Sequence, residues 1–267
     1  MKKVNPLYGA LGGDLVGSVY EFDNIKTKDF PLLDDKCDLT DDSILTVATA
    51  EVICSDGNYA LAYHRWGNRH PHRGYGGAFL SWLGRREEEL TPYNSWGNGA
   101  AMRVSPVGFA FQSVDDVWDA AEASASVTHN HDEGIRGAQA TALAVFLARQ
   151  GESKADIEKQ IEHCFDYNLS QSLDAIRPTY CFDVSCQGTV PVAIRAFLES
   201  WCYEDAIRNA ISVGGDSDTI AAITGGIALA YYKEMPERLV EAIEGKLTSD
   251  MREVCETFAQ RYPLDEQ

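Results

Sequence analysis

Two acidic clusters, far apart in the chain, each stand at the threshold of an apolar run with helical spacing. That pairing restricts the fold more than any other feature. The first is Thr40-Asp41-Asp42-Ser43, followed by Ile44, Leu45, Val47, Ala48, Val52 and Ile53. The second is Gly214-Gly215-Asp216-Ser217-Asp218-Thr219, followed by Ile220, Ala221, Ile223, Ile227 and Tyr231. Apolar residues recurring at three- and four-residue intervals predict helices that bury a face. Asp, Ser and Thr cap helix N-termini, and the helix dipole favours a carboxylate in the first turn, so one acid per start needs no function. Two at each start are harder to account for. Carboxylates about 4 Å apart repel by roughly 4 kcal/mol at an effective dielectric near 20. Four brought together therefore take up protons, splay into water or hold cations. Oxygen-only ligands suit Mg²⁺, Mn²⁺ or Ca²⁺, not zinc. If the clusters converge they form a hard-metal site; if they do not, each is a cap.

The 267 residues, 45% of them apolar, are enough for one large core or two small ones. A net charge of −18 and a pI near 4.6 disfavour non-specific binding to nucleic acid or an anionic membrane, which need a positive face. The seven cysteines, at 37, 54, 164, 181, 186, 202 and 255, include no Cys-x-x-Cys spacing. Neither a disulfide framework nor a zinc knuckle is expected, and a reducing cytoplasm fits. Met1-Lys2-Lys3-Val4-Asn5-Pro6 lacks the apolar core of a signal peptide, and no run of about 18 apolar residues occurs, so export and membrane spanning are not expected.

Residues 7–21 combine helical apolar spacing with Gly9, Gly12, Gly13 and Gly17. Each glycine costs a helix about 1 kcal/mol relative to alanine, which points to a need for close backbone approach. The spacing is not the dinucleotide fingerprint. Asp14 and Glu21, two turns apart, are expected to share a face of this helix. Residues 22–39 read as a loop. Helical runs follow at about 42–54, 58–67 and 75–84, and the basic stretch 69–73 reads as an exposed connection. Gly97-Asn98-Gly99 permits a left-handed turn, and free N–H groups at the start of the helix that follows suit a phosphate, although alone it is only a turn. Helices are predicted at 114–126 and 133–149. Between them, His129 and His131 cannot share a helical face and have no third ligand nearby, so a capping turn with one functional histidine is expected. The segment 164–188 has no period and suits an ordered loop over a cleft. Helical patterns resume at 189–200, 203–213, 217–232 and 236–261. Alternating β patterns are scarce, which gives an all-α fold of roughly a dozen helices.

Taken together, these pieces resemble the ADP-ribosylglycohydrolase family, which includes the hydrolase that reactivates dinitrogenase reductase and the ADP-ribosyl-arginine and ADP-ribosyl-serine hydrolases. The resemblance rests on Gly9-Ala10-Leu11-Gly12-Gly13-Asp14 with Gly17 and Glu21, Leu39-Thr40-Asp41-Asp42, Gly97 to Arg103, Thr128-His129, and Gly214 to Thr219, in that order. It implies a compact single-domain orthogonal helical bundle over residues 1–267. It also implies two divalent cations, Mg²⁺ or Mn²⁺, held by Thr40, Asp41, Asp42, Asp216, Asp218 and Thr219. The implied reaction removes ADP-ribose, most commonly from arginine, on an ADP-ribosylated protein or small molecule. Glu21, Asp41 and Asp218 would be catalytic. Gly97, Asn98 and Gly99 would line the pyrophosphate region, His129 would orient substrate, and Asp14 would pack or support the ligands. Some members carry a carboxylate just before the Gly-Asn-Gly turn, where this chain has Asn94-Ser95-Trp96, so the proton falls to Glu21 or a metal-bound water. A monomer is expected. Among rival readings, a terpenoid synthase expects a third Asp four residues after its first pair, which Val47 and its neighbours do not supply. A His-Asp phosphohydrolase could claim His131-Asp132 but lacks its other ligands. A catalytically inactive ADP-ribose- or metal-binding protein has the intact acidic ligands against it.

Overall fold

A computed structural model describes residues 4–264; the ends of the expected 1–267 domain, residues 1–3 and 265–267, lie outside the described residues. The helices are α1 (Tyr8–Gly17), α2 (Asp41–Ser55), α3 (Tyr59–Arg69), α4 (Gly77–Leu83), α5 (Gly99–Met102), α6 (Ser105–Ala110), α7 (Val114–Ser126), α8 (Asp132–Arg149), α9 (Lys154–Phe165), α10 (Leu173–Ile176), α11 (Cys186–Leu198), α12 (Tyr203–Ser212), α13 (Ser217–Tyr232), α14 (Glu237–Lys246) and α15 (Ser249–Arg261). The described residues contain no strand, only an isolated bridge between Gly97 and Ser185. No described helix is long and apolar enough to cross a membrane.

One continuous core holds the helices together, with Trp66, Trp82, Phe109, Phe197 and Phe258 buried in it. At its centre lie α1 and α13, each buried along nearly its whole length and packed on the other. Small residues permit the approach. A Cβ on Gly13 would lie 1.9 Å from the Ala221 carbonyl oxygen, and one on Gly225 would lie 2.2 Å from that of Gly9. The phenol of Tyr203 donates to the Gly9 carbonyl (2.7 Å) and ties α12 to the same seam. The N-terminal end of α13 and that of α2 are thereby both set against α1.

Three sequence expectations change. The first helix ends at Gly17, not near residue 21, so Asp14 and Glu21 do not share a helical face. Gly17 lies against the start of α13, where a Cβ would come within 2.5 Å of Asp218 Cα, and the chain turns away just beyond it. The run 236–261 is two helices. Leu247 and Thr248 are extended between them, and Thr248-Ser249-Asp250 starts the second. Helix α9, which the sequence reading did not include, buries Ile157, Ile161 and Phe165 behind a Ser153 cap.

Candidate metal centre and active-site cavity

Thr40, extended at φ −100° and ψ −165°, is the N-cap of α2, and Asp41 and Asp42 occupy the first turn. The free backbone N–H groups of a helix start need acceptors, and here Asp14 supplies them from α1. Its fully buried carboxylate accepts from Thr40 N (2.9 Å), Thr40 Oγ1 (2.7 Å), Ser43 N (3.1 Å) and Ser43 Oγ. On the outer side, Asp41 N donates to the Arg73 carbonyl (2.7 Å), and the Arg73 guanidinium donates to the Leu39 carbonyl (3.0 Å). The stretch 69–73 is therefore more than an exposed connection. It clamps the start of α2, and His70 within it is buried and stacked on Trp66.

At the other helix start, Gly214 and Gly215 both adopt left-handed backbone, at φ +70° and +79°, which turns the chain so that Asp216 and Asp218 face α2. Asn24 grips this turn twice, donating to the Gly215 carbonyl (2.9 Å) and accepting from its N–H (2.7 Å). Glu21 lies three residues before that anchor.

The clusters converge. Asp14, Asp42 and Asp218 each bring an oxygen to within 4.8 Å of the others, and so do Glu21, Asp216 and Asp218, with Asp218 common to both groups. Thr219 Oγ1 donates to Asp42 Oδ2 (3.4 Å), bridging the two helix starts directly. Asp42 Oδ1 is buried with no hydrogen-bond partner. No lysine, arginine or histidine among the described residues forms an ion pair with any of these acids. Burial, followed by mutual repulsion, pushes Glu21 up to about 7 and Asp41, Asp42 and Asp218 well above the usual carboxylate range. Burial also pushes Asp14 up to about 6 against its four hydrogen bonds. Carboxylate and threonine oxygens around an orphaned buried oxygen fit a hard divalent cation.

This centre lies in a cavity of about 430 Å³ that is also lined by Gly97, Asn98, Gly99 and His129. Asn98 faces the acids. Its amide donates to Asp216 Oδ2 (2.7 Å) and Thr189 Oγ1 (3.1 Å), its backbone N–H is taken by the Val184 carbonyl and that of Gly97 by Ser95 Oγ (3.1 Å), and the turn is not left-handed as the sequence suggested, because these bonds to the neighbouring loops hold it with Asn98 at φ −69°. His129 Nε2 lies beside the turn, 3.1 Å from where a Gly99 Cβ would stand. Burial and nearby Arg103 hold its pKa well below the usual value. The rim comes from the expected loops, with Phe22 stacked on Phe182 at 6.3 Å and Gly74 and Val184 nearby. Sequence reasoning gave no role to Arg103 or Tyr93, which also line the cavity.

A family model described as ADP-ribosylglycohydrolase matches residues 4–267. The chain belongs to the ADP-ribosylglycohydrolase family. Its relatives in that family include ADP-ribosylhydrolase ARH3 of Bos taurus, 29% identical over 92% of this chain and 89% of that one. ARH3 of Homo sapiens is 33% identical over 59% and 56%. ADP-ribosylarginine hydrolase Tri1 of Pseudomonas putida is 28% identical over 89% and 72%. A solved structure titled ADP-ribosylglycohydrolase-related protein complex superposes with a TM-score of 0.74 over 97% of this chain and 96% of that one, at 22% identity, and so shares its fold. The all-α expectation holds, and membership of the ADP-ribosylglycohydrolase family makes the chain a glycohydrolase.

Proposed function

We propose that this cavity hydrolyses the glycosidic bond between ADP-ribose and an acceptor, arginine first, with two divalent cations, Mg²⁺ or Mn²⁺, held by Thr40, Asp41, Asp42, Asp216, Asp218 and Thr219. The observation that carries the reading is the convergence of two acidic helix starts, one of them holding the partnerless Asp42 Oδ1, in a cavity that is also lined by a buried arginine. When bound, the ions supply positive charge that fixes ribose hydroxyls and orients a water.

The chain's own residues divide the remaining work. Departure of the acceptor from C1″ leaves an oxocarbenium-like ribose. Water adds to C1″, the bond to the acceptor breaks, and the acceptor leaves with a proton. Glu21 reaches Asp216 and Asp218, and as the acid in the cavity lining not assigned to a cation it is the residue left to carry that proton. Asn98 holds Asp216, Gly97 and Gly99 line the pyrophosphate region beside it, and His129 orients the substrate there. Asp14 acts behind the site by fixing Thr40. The arginine preference is supported by the Pseudomonas putida relative, which is named for ADP-ribosylarginine.

The purified protein with Mg²⁺ or Mn²⁺ is expected to release ADP-ribose from a panel of arginine-, serine- and nucleic-acid-linked substrates, with arginine the preferred acceptor. Release from serine alone would replace the arginine assignment, and no release at all would sink the proposal. Asp41→Ala and Asp218→Ala should each cost several kcal/mol of transition-state stabilisation. Wild-type turnover in either variant would remove the metal assignment.

A further inference from the structure

We infer that the buried pair Arg103 and Thr128 locks His129 in its Nε2–H tautomer, aimed into the cavity as a fixed hydrogen-bond donor. This makes Arg103 and Thr128 positioning residues for the site. The inference rests on the function proposed above only in naming the acceptor of that bond as a phosphate oxygen.

The proton assignment follows from which groups can donate. Arg103 is fully buried at the end of α5, and one of its terminal nitrogens donates to Thr128 Oγ1 (2.8 Å) and to the Ser124 carbonyl (3.1 Å). A guanidinium only donates, so the Thr128 oxygen is an acceptor in that bond. The hydroxyl still has its own hydrogen to place, and its one remaining partner is His129 Nδ1 at 2.8 Å. Thr128 therefore donates to Nδ1. The ring proton must then sit on Nε2, which faces the cavity beside Gly97 and Gly99. Protonating Nδ1 as well would leave the Thr128 hydrogen without an acceptor and set an imidazolium next to a buried guanidinium.

Arg103 contributes a second, independent observation. Its Nε and its other terminal nitrogen are buried without partners, and no carboxylate among the described residues pairs with it. Its only other contact of note is the face of Tyr63, 4.0 Å from the guanidinium carbon. A buried charge with no counter-ion is costly unless an anion completes it. The cavity thus has two poles, with five acidic side chains at one end and, at the other, an uncompensated cation behind a neutral donor. A ligand with hydroxyls at one end and phosphates at the other matches both.

The test begins with the wild-type protein, free of substrate and ¹⁵N-labelled at histidine. Two-bond ¹H–¹⁵N spectra should show His129 as a single Nε2–H tautomer that does not titrate between about pH 5 and 8, the window in which an ordinary histidine changes charge. In Thr128→Val the lock is gone. The tautomers should then mix, and the Kd for ADP-ribose should rise about tenfold, the scale of a hydrogen bond to a charged group, while kcat changes less than Kd. Thr128→Ser should restore both the tautomer and the affinity. An Nδ1–H tautomer or an imidazolium in the wild type would overturn the inference, and so would a Thr128→Val protein with unchanged tautomer and Kd. If Thr128→Val does not fold, the wild-type spectrum decides alone. That spectrum needs no turnover, so failure of the proposed hydrolysis and failure of the lock are read separately.

Discussion

Asp42→Asn is expected to stabilise the metal-free protein at neutral and higher pH and to abolish its stabilisation by metal. Asp42 is buried, one of its oxygens has no partner, and the other lies among Asp14, Thr219 and Asp218. Each fully ionised pair about 4 Å apart would cost roughly 4 kcal/mol at a dielectric near 20. Proton uptake caps that cost. The rise of Asp14 from 3.8 to about 6 corresponds to about 3 kcal/mol at most, shared among coupled groups. Neutralising one member should therefore relieve roughly 1–2 kcal/mol, or about 2–8 °C in Tm for a chain of this size. The sign follows from proton linkage. Asp14 and Glu21 bind protons more tightly folded than unfolded, so their contribution is complete below about pH 4 and is lost as pH rises through 6 and 7. The gain from Asp42→Asn should accordingly be near zero below about pH 4 and largest at about pH 8. The chain's charge of −18 also weakens the fold as pH rises, but that effect persists in the variant, and subtraction isolates the site. Mn²⁺ at a hundred times its Kd should add about 2.7 kcal/mol to the wild type and little to the variant. Thermal unfolding in chelator and in Mn²⁺ across this pH range measures all of it. A variant destabilised equally at every pH in chelator would show that the Asp42 carboxylate supports the fold, and the cation argument would fail.

Other expectations follow from single contacts. Glu21→Gln should lower kcat by about a hundredfold, the scale of general acid–base catalysis, with little change in ADP-ribose affinity; calorimetric titration beside turnover assays distinguishes this from equal loss of both, which would make Glu21 a binding residue. Asn24→Ala removes both bonds between the Glu21 loop and Gly215, and should reduce kcat more than it lowers Tm; a fall in Tm with unchanged kcat would confine Asn24 to stability. Gly13→Ala would place a Cβ 1.9 Å from the Ala221 carbonyl oxygen, whereas a Cβ on Gly245 of α14 meets nothing within 4 Å. Denaturant unfolding should show at least about 3 kcal/mol lost at Gly13, in the overpacking range, and up to about 1 kcal/mol gained at Gly245.

How far the sequence could be read depended on whether the deciding interaction was local. Helix starts at 41 and 217 were legible because capping and dipole preferences act within one turn, as were the buried helices with apolar spacing. The end of α1 was not. Gly9, Gly12 and Gly13 precede Gly17 within the helix, so a glycine alone does not mark its end, and the contact of Gly17 with α13 is some 200 residues away in sequence. Helix α9 carried its signal in Ser153 and the Ile157, Ile161, Phe165 spacing, although charged residues between them dilute the apolar face. Helical spacing puts Glu21 on a face shared with Asp14, whereas it approaches the acids from a loop held by Asn24. Arg103 was quoted only as part of a motif, because sequence does not distinguish an arginine sealed under a cavity from one in solvent.

The two ends of the cavity also explain each other. Carboxylates without a cation and a guanidinium without an anion are both unstable burials, and they could have been brought together to neutralise one another. The fold keeps them apart. Asn98 commits its amide to Asp216, while Arg103 donates to Thr128 and lies over the face of Tyr63. The fold therefore leaves both charges to be completed from outside, by cations at one end and by an anionic group at the other. A ligand that supplied only one of the two would leave the other burial uncompensated. On this reasoning cation and substrate bind with positive coupling: adding Mn²⁺ should tighten ADP-ribose, and adding ADP-ribose should tighten Mn²⁺ by the same factor. Titrations of each in the presence and absence of the other measure that factor, and a value of one would mean that the poles act independently.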